Sequence, residues 1–138
     1  MIRQEKYPDT NYFHYYNANP KNKFTEDCVC RAVTAATKEN YATVLRAMCE
    51  LSLKTGYSAF GGKGIESYMK SIRWVKHSQP RKPDNTKYTG KEFCELNPNI
   101  TCVANIGGNH TIAIVNGKIW DTWNSASGCI GNYYTKEN

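Results

Sequence analysis

A chain of 138 residues, 40% of them hydrophobic and with 10 glycines and 5 prolines, can close one hydrophobic core and has the composition of neither a disordered nor a fibrous protein. Residues Met1 to Lys6 carry no apolar signal region, and no window approaches the run of about 18 apolar residues of a membrane span, so a soluble cytoplasmic protein without membrane contact is expected. The net charge of +6 would draw acidic partners or nucleic acid, but the densest basic stretch, Lys76 to Pro83, is broken by prolines and no nucleic-acid motif accompanies it.

No repeat, low-complexity tract or Gly/Ser linker divides the chain, which predicts a single domain over residues 1–138. Residues 1–24, rich in Tyr and Asn with Pro8 and Pro20, read as an extended N-terminal arm with its aromatics Tyr7, Tyr12, Phe13, Tyr15 and Tyr16 on the domain surface. A helix is predicted to start near Thr25 to Asp27, capped by Thr25 or Asp27, with Val29, Ala32, Val33 and Ala36 as its apolar stripe and Cys28 in its first turn. After a break at Lys38 to Asn40, the spacing of Tyr41, Val44, Leu45, Met48 and Leu51 predicts a second helix that stops before Gly56 and packs antiparallel to the first. Phe60 to Gly64 reads as a loop, Ile65, Tyr68, Met69 and Ile72 as a short amphipathic helix, and Trp74-Val75 as a brief strand. Thr89-Gly90-Lys91-Glu92 has the form of a capping box for a helix that ends at Asn97-Pro98.

The remainder turns to β structure. Ile100 to Ile106 is predicted as a strand, and His110 to Val115 and Lys118 to Trp123 as a hairpin about Asn116-Gly117, a pair that readily adopts the positive φ angles of a tight two-residue turn. Helices followed by an antiparallel sheet give an α+β class. With that turn, Val115 faces Lys118, Ile112 faces Asp121 and His110 faces Trp123, so His110 and Asp121 share a face with Ile112, Ile114 and Ile119. They are diagonal neighbours, roughly 7–8 Å apart at the backbone, within reach of an imidazole–carboxylate hydrogen bond. On such an apolar face each polar group supplies the partner the other needs, and a purely structural pair would satisfy the same requirement.

Six cysteines without a secretion signal read as free thiols. A thiol attacks as its thiolate, and the first turn of a helix, with unpaired N–H groups and the positive end of the dipole, favours that anion. Cys28 holds this position. Cys30, Cys49, Cys94 and Cys102 lie inside predicted helices or a strand and read as small core or boundary hydrophobes, while Cys129 falls in a loop. Cys28-Val29-Cys30 lacks the spacer of a zinc knuckle and no second Cys or His pair supplies one, so neither a metal nor another cofactor is expected.

The blocks Glu26-Asp27-Cys28 opening a helix, Gly108-Asn109-His110 starting a strand and Asp121-Thr122-Trp123 on the next strand resemble the papain-like cysteine peptidase superfamily, with Asp-Thr-Trp in place of its Asn-Ser-Trp. The Asp-Cys pair is closer to the bacteriocin-processing peptidases, and Asp27-Cys28-Val29-Cys30-Arg31-Ala32 is similar to small phage and bacterial proteins of the superfamily. The resemblance implies a papain-like fold, N-terminal helices on a C-terminal antiparallel sheet, with Cys28 as nucleophile, His110 as acid–base and Asp121 orienting it. It implies an oxyanion donor six residues before the nucleophile, a place filled here by Asn22, with Asn19 and Asn17 in the same loop; Trp123 either shields the His–Asp contact from water or serves as core. The substrate would be a peptide or protein with a peptide, isopeptide or amide bond, met in the host cytoplasm if the gene is a phage's. The competing expectation is a catalytically idle copy of the fold that binds and blocks a host protein, such as a defence component.

Overall fold

The computed structural model describes residues 2–138, which form five helices and one six-stranded sheet. In chain order these are α1 (Arg3–Lys6), β1 (Phe13–Tyr15), α2 (Cys28–Thr37), α3 (Tyr41–Thr55), α4 (Gly62–Ser71), β2 (Trp74–His77), α5 (Gly90–Leu96), β3 (Cys102–Ile106), β4 (His110–Val115), β5 (Lys118–Asp121) and β6 (Ile130–Lys136). Local signals set most helix ends. The Asn40 side chain accepts from the N–H groups of Ala42 and Thr43 and starts α3, Gly56 at φ 81° ends it, and Thr89 and Glu92 close a reciprocal capping box on α5. The small residues Ala32, Ala35 and Ala36 let α2 lie close against β4, and Val33 joins Val44 and Met48 of α3 in one core.

The sheet runs β1-β5-β4-β3-β6-β2, antiparallel throughout except that β1 lies parallel to β5. The class is α+β as expected, but the open sheet is mixed rather than antiparallel, because the N-terminal arm contributes a strand. Phe13 pairs with Ile119 and is fully buried among Phe93, Ile112 and Ile114, which corrects the placement of that ring on the surface. Tyr7, Tyr12 and Tyr15 pack half-buried around it, and Tyr16 is exposed. The second strand not foreseen, β6, inserts between β3 and β2.

Both faces of the sheet are covered. Val103, Ala113 and Val115 face α2, α3 and α4, whereas Ile106, Ile112, Ile114 and Ile119 face α5 and the arm. This period-two division follows the alternation read along the hairpin. Its register pairs Val115 with Lys118, Ile114 with Ile119 and Ala113 with Trp120, and β5 ends at Asp121 rather than Trp123. Asn116 and Gly117 have φ 48° and 72°, the primed turn that the Asn-Gly pair predicts. At Gly117 a Cβ would also meet the Pro98 carbonyl oxygen at 2.5 Å. Gly117→Ala is expected to destabilise the fold by about 1–3 kcal/mol from backbone strain alone, read as a lower urea midpoint with an unchanged slope. Among the described residues no helix is long and apolar enough to cross a membrane.

Candidate active site

Three elements converge at one end of the sheet. α2 crosses β4, and its first turn presents Cys28 to His110 at the start of β4, while Asp121 closes β5 beside them. The His110 ring bonds Asp121 from Nε2 to Oδ2 at 2.6 Å, with the His side chain 16% exposed and the carboxylate 2%. Because the carboxylate is an acceptor, Nε2 carries the hydrogen and Nδ1 is the ring nitrogen left for the Cys28 sulfur. The Trp123 ring lies tilted against His110 with centroids 5.0 Å apart, covering the imidazole on one side.

The electrostatics follow from these contacts. Burial pushes the Cys28 thiol up, but hydrogen bonding to His110 and to the Thr111 backbone N–H, together with the charges of His110 and Arg31, outweighs burial and leaves the thiol below its ordinary value. Burial opposes the charge on His110, yet its contacts with Asp121 and Cys28 raise the imidazole to about 9. Asp121 is held below its ordinary value against its burial by His110, Arg31 and the Thr122 N–H. At neutral pH the site therefore holds an imidazolium beside a thiol that ionises more readily than an ordinary cysteine. The buried cysteines go the other way, Cys30 and Cys94 to about 11 by burial, and Cys102 upward as well. Cys49, expected in the core or at its boundary, is exposed, since Cys49 lies off the stripe that α3 buries through Val44 and Met48; Cys129 is exposed too.

Arg31, one turn after Cys28, bonds Asp121 Oδ1 from a terminal guanidinium nitrogen at 2.7 Å and Asp27 Oδ1 from Nε at 2.8 Å. Asp27 occupies the N-cap position of α2 but does not cap it, contrary to expectation, because its carboxylate is taken up by Arg31, by the Asn19 amide at 3.1 Å and by the Tyr41 hydroxyl at 2.8 Å. The first-turn N–H groups of α2 are thereby left without a side-chain acceptor. The Asp27–Arg31 spacing is legible in sequence as a helical i,i+4 pair, but the reach of Arg31 to Asp121 is not.

Cys28 and His110 line a cavity of about 840 Å³ walled by Phe24, Phe60 and Trp123. A second cavity of about 650 Å³ adjoins it, sharing Val29, Phe60, Gly61 and Asn109. Asn19 and Asn22 line neither. The Asn19 amide is committed to Asp27, and the Asn22 side chain accepts from Asn17 at 3.3 Å. The asparagine that does line the Cys28 cavity is Asn109, exposed beside His110. No known protein family, characterised protein or solved structure matches this chain.

Proposed function

We propose that the protein is a cysteine-nucleophile hydrolase or acyl transferase of papain-like type that acts on a peptide, isopeptide or amide bond, with Cys28, His110 and Asp121 as its catalytic unit. The observation that carries this reading is the continuous line from a buried carboxylate through an imidazole to a thiol of lowered pKa, at the wall of an open cavity. A purely structural His–Asp pair has no need of a thiol in that position.

In the first half-reaction the Cys28 thiolate adds to the carbonyl carbon, and the electron pair of the C=O bond moves to oxygen. The Cys28 backbone N–H, at the first position of α2 where a helix offers no carbonyl partner, is a donor to that oxyanion, an interaction worth roughly 2.7–4 kcal/mol per donor in other enzymes. His110 gives its Nδ1 proton to the leaving nitrogen, the C–N bond breaks, and a thioester on Cys28 remains. The neutral imidazole then takes a proton from water, or from an acceptor amine in the transferase case, as that nucleophile attacks the thioester. Cleavage of the C–S bond restores thiolate and imidazolium. Asp121 keeps the ring in one tautomer and offsets the imidazolium charge at both stages. The Cys28 cavity and the one adjoining it across Val29, Phe60, Gly61 and Asn109 offer an extended chain room beside the thiol.

Alkylation by iodoacetamide tests the site without a known substrate, with the exposed Cys49 and Cys129 as internal references. Cys28 is expected to react selectively below about pH 7, and this preference is expected to disappear in His110→Ala. Labelling of Cys28 no faster than Cys49 in that range would remove the basis for the proposal. Turnover is read separately with p-nitrophenyl acetate, expected to give a burst of nitrophenolate and then steady release, both absent in Cys28→Ser.

A further inference from the structure

We propose that Arg31 is the positioning residue of the site, a planar clamp that fixes the Asp121 carboxylate towards His110 and is itself fixed by Asp27. This inference rests on the reading of Cys28, His110 and Asp121 as one unit. Its basis is a line of alternating charge, with the Thr122 backbone N–H as a second donor to Asp121 Oδ1 at 2.7 Å. Asp27 is held by Asn19 and Tyr41, Arg31 joins Asp27 to Asp121 Oδ1, and Asp121 Oδ2 meets His110 beside Cys28. The Arg31 side chain is 11% exposed and the carboxylates on either side 6% and 2%, so water does not compete for these geometries.

Charge balance alone does not explain the arrangement. Arg31 draws on the same carboxylate that raises the basicity of His110, so a site selected only for a strong imidazolium would leave Asp121 to the histidine. What the guanidinium adds is direction. Two donors in one rigid plane, one to each carboxylate, hold Asp121 by Oδ1 and turn Oδ2 to the ring, which a point-like ammonium cannot do. The clamp also sits on the helix that carries the nucleophile, three residues after Cys28, so a shift of α2 carries thiol and clamp together. The groups facing His110 are Asp121 and Trp123 from β5 and the residues after it, and Cys28 from α2, with Arg31 behind Asp121.

The discriminating variant is Arg31→Lys, which keeps the charge and loses the planar fork. The readout is the imidazole titration of His110 by NMR in the full-length protein, with His14 and His77 as references. If orientation is the role, His110 in Arg31→Lys is expected to titrate about one pH unit or more below the unmodified protein, and the references not to move. The pH at which Cys28 begins to alkylate is expected to rise in parallel. If Arg31 only balances charge, Lys serves equally well, and an unchanged His110 titration in folded Arg31→Lys overturns the proposal. Should that variant not fold, Asp27→Asn, which loosens the far side of the clamp, and Tyr41→Phe, which deletes one hydroxyl from its support, are expected to shift His110 in the same direction by less. An unmoved titration in both is equally decisive against it. Failure of the underlying reading looks different: Cys28 of the unmodified protein would lack selective reactivity, while the His110 titration would still respond to Arg31.

Discussion

Truncating Phe13 to Ala is expected to destabilise the fold by about 3–5 kcal/mol, the range for a fully buried aromatic that leaves a cavity. Phe13 is 0% exposed, in a cluster with Phe93, Ile112, Ile114 and Ile119, and these neighbours sit on strands and a helix that cannot readily close over the gap. The effect should reach the site. The arm pairs along β5, with Tyr15 opposite Asp121 and the Tyr16 N–H bonded to the Asp121 carbonyl oxygen, and the Arg3 guanidinium donates to the Thr122 carbonyl oxygen. Loss of the Phe13 anchor would therefore loosen the backbone that carries the carboxylate, and selective alkylation of Cys28 is expected to weaken along with stability. Urea denaturation measures the first and the pH profile of labelling the second. A loss under about 0.5 kcal/mol is what a surface aromatic would give and would contradict the buried position.

The same residue marks where sequence reading stops. The hairpin was legible because Asn116-Gly117 fixes both a turn and a register, and period-two alternation then puts His110 and Asp121 on one face without any knowledge of the rest of the fold. The capping box at Thr89 and Glu92 and the helix stops at Gly56 and Asn97 are likewise local chemistry. β1 was hidden because three residues, Phe13 to Tyr15, carry too little pattern to show a strand, and their partner β5 lies about a hundred residues downstream. β6 was hidden by its own sequence: Gly131 and Asn132 interrupt it, and its register shifts against β3 between Ala104 and Ile106. For the site, the approach of Cys28 to His110 depends on helix-to-sheet packing, which spacing along one chain does not encode. Asp27 is the instructive case. Its place before the first turn reads as a cap, yet the tertiary partners Arg31, Asn19 and Tyr41 outcompete the local N–H groups for its oxygens.

Asp121→Ala is expected to cost about 3–5 kcal/mol, since it strips one buried carboxylate from both Arg31 and His110 and leaves two donors facing a void. Asp121→Asn, which keeps the shape, isolates the charge. Without the carboxylate, burial dominates at His110, and the imidazole is expected to fall from about 9 into its ordinary range or below, taking with it the cation that lowers the Cys28 thiol. Selective alkylation below about pH 7 should then be lost in a protein that still folds. The pH dependence of stability has a definite sign on each side. The depressed carboxylate contributes fully above the unfolded value of about 4 and loses its contribution as pH falls through the folded value. The raised imidazole contributes fully below the unfolded value of about 6.5, and its contribution is lost as pH climbs through about 9. The stability difference between the unmodified protein and Asp121→Asn should therefore be largest between about pH 4 and 6.5 and shrink towards both extremes. Urea unfolding at closely spaced pH values measures it, and a difference that stays flat from about pH 3 to 9.5 would mean that the two groups do not share charge across the 2.6 Å contact.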